Sequence, residues 1–312
     1  MKGIRGDMHV DTIEFALDNN VKLDDRKLEF NMFDINEYLP YIQFMACFVH
    51  DKYINRGYSR YKSILDCYNN SLNKFNKVIK IEEKEDIEKV RINNKLGTLL
   101  TVENAVALDG RLENVYNMYD DGVRVMGITW NFENQLATGC MSKYDTGLTE
   151  FGAKCIKVMN KINMIVDVSH ASLNTFWNIA KITDKPIVAS HSNVYSLCKH
   201  KRNLKDNQIK EIAKLNGIIG ITYSKDFLSN SNSATINDVI KHIRYVSDLV
   251  GVKHVCLGSD FDGIDEEKLP QNLKGVKDIN KIEECLTLNG FNKNEIKDIM
   301  GENLSRFLMK NI

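Results

Sequence analysis

Short apolar runs rich in β-branched residues alternate along the chain with longer segments in which apolar and charged positions recur at helical spacing. Seven of the short runs have the length and composition of strands: 41–49, 97–102, 122–129, 163–168, 185–189, 217–222 and 254–257. The segment before His9 is an eighth, weaker strand candidate. Between these runs, the segments 150–162, 173–183, 206–215 and 236–250 are amphipathic and are predicted to be helices. The alternation predicts an α/β protein.

Two α/β architectures accommodate such a series of units, a closed barrel and an open, doubly wound sheet. In this chain, His, Glu, Asp and Tyr residues stand at the carboxyl ends of nearly all the predicted strands. A closed barrel brings all of those ends to one mouth, whereas an open sheet spreads them along an edge. We therefore predict a (β/α)8 TIM-type barrel that forms a single domain over residues 1–312, with helical insertions. The charged segment 51–94 is predicted to be the largest of these, a helical insertion between the second and third strands.

The composition excludes several classes of partner. The chain has 42 Lys and Arg against 42 Asp and Glu, so its formal net charge of zero provides no long-range attraction to nucleic acid or anionic lipid. The seven cysteines are odd in number and include no Cys-x-x-Cys pair, which indicates reduced thiols rather than disulfides or a thiolate metal site. No stretch approaches the ~20 apolar residues that a membrane span needs, and the first residues lack the apolar core of a leader. We therefore expect a cytoplasmic protein that binds neither nucleic acid nor a membrane.

Residue types that bind metals occur at the ends of two early strands. His9 and Asp11 alternate on an extended strand, so both side chains point to the same side. On its own, a His-x-Asp pair is more often a surface pair or a hydrogen-bonded core histidine. Glu103 follows the apolar run Leu-Leu-Thr-Val, where an unpaired buried carboxylate is costly or takes up a proton. A metal or another cation removes that cost, and the alternative is a helix-capping or loop carboxylate.

Two later strands both end in Ser-His. His170 follows Met-Ile-Val-Asp-Val-Ser and His191 follows Lys-Pro-Ile-Val-Ala-Ser, so the two imidazoles stand at equivalent points of adjacent barrel units. Asp260 stands at the end of the last strand. Imidazole and carboxylate groups are the usual nitrogen and oxygen ligands of zinc, and a two-metal hydrolase needs such a set at one mouth. Surface positions or positions behind the ligands are predicted for the remaining histidines, His50, His200, His242 and His254.

Seven motifs are distributed over most of the chain. They are Asp-Met-His-Val-Asp-Thr from Asp7, Gly-Leu-Thr-Glu-Phe-Gly from Gly147, Asp-Val-Ser-His-Ala-Ser from Asp167, Ala-Ser-His-Ser-Asn from Ala189, Lys-Arg-Asn-Leu from Lys201, Gly-Ser-Asp-Phe-Asp-Gly from Gly258 and Gly-Glu-Asn-Leu-Ser-Arg-Phe-Leu from Gly301. Together they resemble the membrane (renal) dipeptidase family, a branch of the metal-dependent amidohydrolase superfamily. The resemblance implies a (β/α)8 barrel with two zinc ions.

The same resemblance implies that the first zinc ion is held by His9, Asp11 and Glu103. The second would be held by Glu103, His170 and His191, so that Glu103 bridges the two ions. The resemblance also implies a homodimer and tolerance of a D-residue at the C-terminal position of the substrate.

The resemblance further implies roles for residues around the metals. Asp260 would transfer protons, Arg202 would bind the terminal carboxylate of the substrate, and Tyr223 would line the pocket. One position departs from the family pattern: where many members have a histidine that steadies the carbonyl oxygen of the scissile bond, this chain has Trp130. An indole donates one hydrogen bond but carries no charge. Asn131 is the candidate substitute.

The reaction predicted from these residues is hydrolysis of the amide bond of a small dipeptide by a hydroxide that two metal ions share. Two alternatives stay open. One is another amidohydrolase that acts on a lactone, a cyclic amide or a phosphoester, and the other is a catalytically weak metal-binding module. Many amidohydrolases have His-x-His in the first strand and a modified lysine bridge in the fourth. This chain has His-x-Asp and no lysine in 122–130, which favours the dipeptidase.

Overall fold

The wall of a barrel is formed by parallel strands in the computed structural model, which describes residues 3–312. In chain order the strands are β1 Arg5–Val10, β2 Tyr41–Phe48, β3 Val78–Lys80, β4 Leu96–Glu103, β5 Val123–Gly127, β6 Ile165–Asp167, β7 Ile187–Ala189, β8 Ile218–Ile221 and β9 Val255–Leu257. Neighbours around the wall follow the order β1-β2-β4-β5-β6-β7-β8-β9, and β3 pairs outside this path with β4. Because every pairing is parallel, all the carboxyl ends lie at one mouth.

The last and first strands come together at this mouth. The backbone N–H of Asp260 donates to the carbonyl of His9 over 3.0 Å, and the N–H of Asp11 donates to the carbonyl of Phe261 over the same distance. A parallel bridge joins Val10 to Phe261. The seam therefore closes the barrel at the level of the predicted site residues.

Helices follow the strands along the chain. They are α1 Thr12–Asn19, α2 Gly57–Leu72, α3 Lys84–Ile92, α4 Glu113–Asp120, α5 Glu150–Lys161, α6 Leu173–Ile182, α7 Asp206–Lys214, α8 Lys225–Leu228, α9 Ile236–Val250, α10 Ile279–Leu288, α11 Lys293–Lys297 and α12 Asn303–Asn311. Side-chain caps fix two of their starts. Thr149 Oγ1 accepts from the N–H of Gly152 before α5, and Ser172 Oγ accepts from the N–H of Thr175 before α6.

Two apolar layers hold the strands. The barrel interior contains a cluster that includes Met8, Phe44 and Leu99, and Leu304 and Leu308 of α12 pack against it. A larger cluster lies between the strands and the surrounding helices. Strands that are buried on both faces therefore read as the continuous apolar runs seen in the sequence.

The predicted (β/α)8 barrel is confirmed, and each predicted strand and helix matches an observed element whose ends differ by a few residues at most. The segment 51–94 differs from its prediction. It contains α2 and α3, but it also contains the short strand β3, which pairs with β4 from Val78 opposite Leu96 to Lys80 opposite Thr98. Within residues 3–312, no helix is both long and apolar enough to cross a membrane.

Candidate metal centre

The carboxyl ends of the strands carry the predicted site residues. His9 is the penultimate residue of β1, Asp11 follows that strand directly, and Glu103 is the last residue of β4. The others stand in the loops that follow: Trp130 and Asn131 after β5, His170 after β6, His191 after β7 and Asp260 after β9. All five predicted metal ligands are buried. The topology thus brings residues that are far apart in sequence to one mouth.

Three potential ligands gather beside β1. His9 Nε2 lies 3.5 Å from Asp11 Oδ2 and 3.3 Å from Glu103 Oε2. One potential ligand atom from each residue falls within 4.8 Å of the others, which is compatible with one ion bound between them. His9 Nε2 and Asp11 Oδ1 are buried and have no hydrogen-bond partner within residues 3–312. Such atoms are expected where a ligand completes the site.

A second group uses the other oxygen of Glu103. Its Oε1 lies 2.9 Å from His170 Nε2 and 3.6 Å from His191 Nε2. These three residues also meet the distance criterion for a shared metal ion. The two oxygens of one carboxylate therefore face two groups of ligands, as a bridging carboxylate would.

Hydrogen bonds behind the two rings determine which nitrogens carry protons. His170 Nδ1 lies 3.0 Å from Asn131 Oδ1, an atom that only accepts, so this nitrogen donates. His191 Nδ1 lies 2.8 Å from Ser190 Oγ, whose own proton goes to the carboxylate of Asp167, so this nitrogen also donates. Each ring keeps an unprotonated Nε2, and these two atoms lie 2.9 Å apart. Two facing lone pairs repel unless a cation lies against both, so the donor set fits a metal ion.

The charges at the mouth also favour a cation. Although burial alone would raise it, the pKa of Glu103 is held well below its ordinary value by His9 and His170. Burial lowers the pKa of His170 to about 4 and places that of His191 well below its ordinary value. An anionic carboxylate and neutral imidazoles are the forms that bind metals. His9 differs: against the effect of burial, Asp11 and Glu103 hold its pKa well above the ordinary value, so these carboxylates stabilise positive charge.

Asp260 lies at the edge of this group, with Oδ1 3.8 Å from His9 Nε2. Burial raises the pKa of Asp260 to about 8; the carboxylates of Asp11 and Glu103 act in the same direction, and His9 opposes them. A carboxyl group whose pKa lies near neutral pH is suited to proton transfer. Its backbone is held at φ 66°, a left-handed conformation that it shares with His170. Such conformations are uncommon outside glycine and cluster at functional sites.

Arg202 is a buried cation that forms no ion pair within residues 3–312. The residue is 5% exposed, and its Nη2 donates a 3.2 Å hydrogen bond to the carbonyl of His191. Its Nε has no hydrogen-bond partner within residues 3–312, and no carboxylate of that range lies within 4.0 Å of the guanidinium. Burying an unneutralised charge is costly, so this guanidinium is ready to receive an anion, and the planar carboxylate matches its fork.

A cavity of about 360 Å³ opens above the ligands, and we call it the acidic cavity. Its lining includes the site residues Asp11, Glu103, Trp130, Asn131, His170, Arg202 and Asp260. The Trp130 ring packs 4.9 Å from His50 and 5.2 Å from Phe48, measured between centroids. The indole is therefore a wall of the cavity, and Asn131 is the polar neighbour beside it.

Tyr223 is not brought to this cavity. Its side chain is fully buried in an edge-to-face contact with Phe261, 5.5 Å between centroids, and it is absent from the cavity lining. Its role as a pocket residue therefore stays a prediction. Of the two kinds of position predicted for the remaining histidines, a surface position is excluded for two of them. His242 and His254 are both buried, and His242 Nδ1 accepts from the N–H of Val194 over 3.0 Å.

Sequence reasoning missed the groups that support the ligands. Asp167 accepts from the N–H of Ser190 over 3.0 Å and from its hydroxyl, which in turn meets His191. Asp7, which is buried in β1, accepts from the N–H of His9 over 3.0 Å and from the N–H of Ser259 over 2.9 Å. A serine directly precedes both His170 and His191, and this repeat is the sequence feature from which the first of these networks could have been predicted.

Comparisons with known proteins identify the family and the fold. A family profile described as membrane dipeptidase (peptidase family M19) matches residues 5–311. A Schizosaccharomyces pombe protein described as an uncharacterized dipeptidase is 32% identical over 291 residues, which cover 86% of this chain and 69% of that protein. An uncharacterized Klebsiella pneumoniae protein from the pqqA 5′ region is 33% identical over 237 residues, covering 73% of this chain and 86% of the relative. A Rhodobacter sphaeroides metallopeptidase liganded with a phosphinate mimic of L-Ala-D-Ala superimposes with a TM-score of 0.90 at 20% identity, covering 100% of both chains.

Proposed function

The chain belongs to the membrane dipeptidase family and is a metallo-dipeptidase, and from this premise we propose that it hydrolyses short peptides that have a free C-terminal carboxylate. We assign the metal centre to His9, Asp11, Glu103, His170 and His191, with two zinc ions as its cofactors. Asp260, Arg202 and Asn131 complete the site.

The facing Nε2 atoms of His170 and His191, with Glu103 between the two ligand groups, are the observation that carries this assignment. Nitrogen and oxygen ligands in sets of three are typical of catalytic zinc sites, which keep a position open for water or substrate. Two divalent cations held there would supply a water of lowered pKa and would polarise the amide carbonyl.

Arg202 fixes the carboxyl end of the peptide. Its buried guanidinium lacks a counter-ion within residues 3–312, and it lines the same cavity as the ligands. A substrate carboxylate would neutralise it through two parallel hydrogen bonds. This contact selects a short peptide with an exposed C-terminus over an internal peptide bond.

Asp260 and Asn131 act on the reacting bond. Asp260 accepts the proton of the attacking water and passes it to the leaving amine, which its position beside His9 and its raised pKa support. Asn131 uses Oδ1 to hold His170, and its side-chain amide group is then oriented to donate from Nδ2 to the carbonyl oxygen. This hydrogen bond would replace the one that a histidine makes in many members of the family. Trp130 stands at that position here and packs as an apolar wall.

Tolerance of a D-residue at the C-terminal position is part of the same proposal. The Rhodobacter sphaeroides metallopeptidase carries a phosphinate mimic of L-Ala-D-Ala, and its barrel superimposes on this one. The acidic cavity, at about 360 Å³, lies within the size range of small-molecule sites and offers room for either configuration.

The experiment is a metal analysis joined to a substrate panel. The purified chain is loaded with zinc, its metal content is measured, and L-L and L-D dipeptides, a lactone and a phosphoester are assayed before and after chelation. We expect about two zinc ions per chain and dipeptide turnover that chelation abolishes and zinc restores. Turnover of the lactone or phosphoester without any dipeptide turnover would reject the proposal.

A further inference from the structure

A second cavity, of about 380 Å³, adjoins the acidic cavity. The two cavities share His170 and Arg202 as lining residues, so Arg202 stands where they meet. A substrate carboxylate bound to Arg202 would therefore have the metal centre on one side and the second cavity on the other. The volume of the second cavity is within the range of small-ligand sites.

The two cavities have opposite charge. Seven of the residues that line the acidic cavity are Asp or Glu, against the two cations Arg202 and Lys268. The second cavity is lined by Lys143, Lys201, Lys205 and Arg202 and by one carboxylate, Asp145. We call it the basic cavity. A peptide lying across Arg202 has a positive amino end and a negative carboxyl end. Its amino end would face the acidic cavity, and its carboxyl end would face the basic cavity.

The single carboxylate of the basic cavity is already engaged. Asp145 Oδ1 accepts from Ser172 Oγ over 2.5 Å, and Oδ2 accepts from the N–H of Asn174 over 2.9 Å. Both oxygens thus cap the first turn of α6 rather than neutralise a lysine. Within residues 3–312, no carboxylate lies within 4.0 Å of the ammonium group of Lys143, Lys201 or Lys205. The cavity therefore has several cations available for an anion from outside.

We propose that the basic cavity receives an acidic side chain of the substrate's C-terminal residue, so that dipeptides ending in Asp or Glu are preferred. This inference rests on the proposed function, because it assumes that Arg202 holds the main-chain carboxylate of that residue. The side-chain carboxylate then extends away from the metal centre towards Lys201 and Lys205. Each exposed lysine contributes modestly, and the contributions are screened by salt.

The test compares isosteric substrates. Values of kcat/KM are measured for Ala-Asp against Ala-Asn and for Ala-Glu against Ala-Gln, each with an L- and a D-residue at the C-terminus. We expect a ratio of about tenfold in favour of the acidic member at low ionic strength, decreasing as salt is added. In the double variant Lys201→Gln/Lys205→Gln, this ratio should fall towards one. The matched control is Lys199→Gln, since Lys199 is exposed in the same loop and lines neither cavity.

The outcomes separate this inference from the proposed function. Equal turnover of acidic and neutral members, or a preference that survives the double variant, overturns the inference and leaves the dipeptidase assignment intact. If no dipeptide is hydrolysed, the proposed function fails, and the cavity is tested by calorimetry with aspartate and asparagine as ligands. Tighter binding of aspartate that is lost in the double variant then supports the cavity, and equal binding rejects it.

Discussion

Asn131 holds His170 through a 3.0 Å hydrogen bond in which Nδ1–H of the imidazole donates to Oδ1 of the amide. The bond selects the tautomer whose Nε2 is free, and it turns that atom towards Glu103, 2.9 Å away. A ligand and a potential substrate contact are therefore coupled through one side chain, because the orientation of the amide is fixed by the ring that it supports.

Substitutions of Asn131 should separate these two roles. Asn131→Ala removes both, and we expect metal affinity to fall about 10- to 100-fold and kcat to fall on the order of 10²-fold. Asn131→Asp keeps an oxygen for His170 but loses the amide donor. It should therefore retain the metal while kcat stays low. Metal content after dialysis, measured beside kcat at saturating zinc, distinguishes the variants.

Two results for the Asn131 variants would contradict these roles. If Asn131→Asp restores kcat as well as metal content, the amide does not donate to the carbonyl oxygen. If Asn131→Ala leaves the metal content unchanged, the hydrogen bond to His170 does not position that ligand.

Glu103→Gln should remove the bridge between the two ligand groups. The amide has one oxygen instead of two and no negative charge, so we expect metal affinity to fall on the order of 10²-fold or more. Bound zinc should also raise the thermal midpoint of the wild-type protein, and this shift should shrink in the variant. Plasma emission spectrometry and thermal unfolding with and without zinc measure both effects.

The matched control for that change is Glu14→Gln. Glu14 lines the same cavity but forms an ion pair with Arg60 at 3.0 Å and belongs to none of the ligand groups. Its zinc content should match that of the wild type. Equal loss of zinc in both variants would show that total acidity, rather than the bridge, holds the metal.

Arg202→Ala should raise KM for free dipeptides on the order of 10²-fold, because it removes a buried charged hydrogen-bond partner of the substrate. Arg202→Lys keeps the charge without the fork and should give an intermediate KM. A dipeptide amide provides the control substrate, since it lacks the terminal carboxylate. The ratio of KM between variant and wild type should be close to one for the amide, and an equally large ratio would reject the contact.

The sequence was informative where a local pattern fixes the direction of a side chain. A strand alternates its faces, and a parallel barrel brings every strand end to one mouth, so the sequence alone predicts that His9, Asp11 and Glu103 lie together. The same reasoning placed His170 and His191, since each follows Ser at the end of an apolar run.

Partners chosen by tertiary structure could not be predicted in this way. Tyr223 is buried against Phe261, which follows the last strand, and no periodicity signals that contact. The strand β3 is three residues long, too short to stand out within a charged segment. The bond from Asn131 to His170 joins loops that are 39 residues apart, so only the packed barrel reveals it.

Gly258→Ala should destabilise the protein near the site. A Cβ atom there would lie 2.0 Å from the carbonyl oxygen of Ser190 and 3.1 Å from the backbone carbon of Gly220, so backbone must move. Such overpacking costs about 1 to 3 kcal/mol, which lowers the thermal midpoint of a chain of this length by roughly 1.5 to 4.5 °C. The control is Gly3→Ala, where the nearest atom lies at 3.6 Å. Similar midpoints for the two variants would contradict the close approach.

Buried His242 should make the folded state sensitive to acid. Burial lowers its pKa to about 4, whereas an unfolded histidine has a pKa of ~6.5. The unfolded chain therefore binds a proton that the folded chain rejects between these values. The stabilising contribution is complete above pH ~6.5 and is lost as the pH falls towards ~4, by up to about 3 kcal/mol. Its neutral form accepts from Val194 N–H and donates to the carbonyl of Leu228, both over 3.0 Å.

The variant His242→Asn tests this dependence, because its side-chain oxygen can still accept from Val194 but does not titrate. Urea unfolding of metal-depleted protein at pH 7, 6 and 5 gives the free energy of unfolding of both forms, and chelation prevents metal release from adding its own pH dependence. We expect the wild type to be the more stable at pH 7 and the difference between the two to narrow as the pH falls. A difference that stays constant from pH 7 to 5 would show that His242 titrates normally in the folded state.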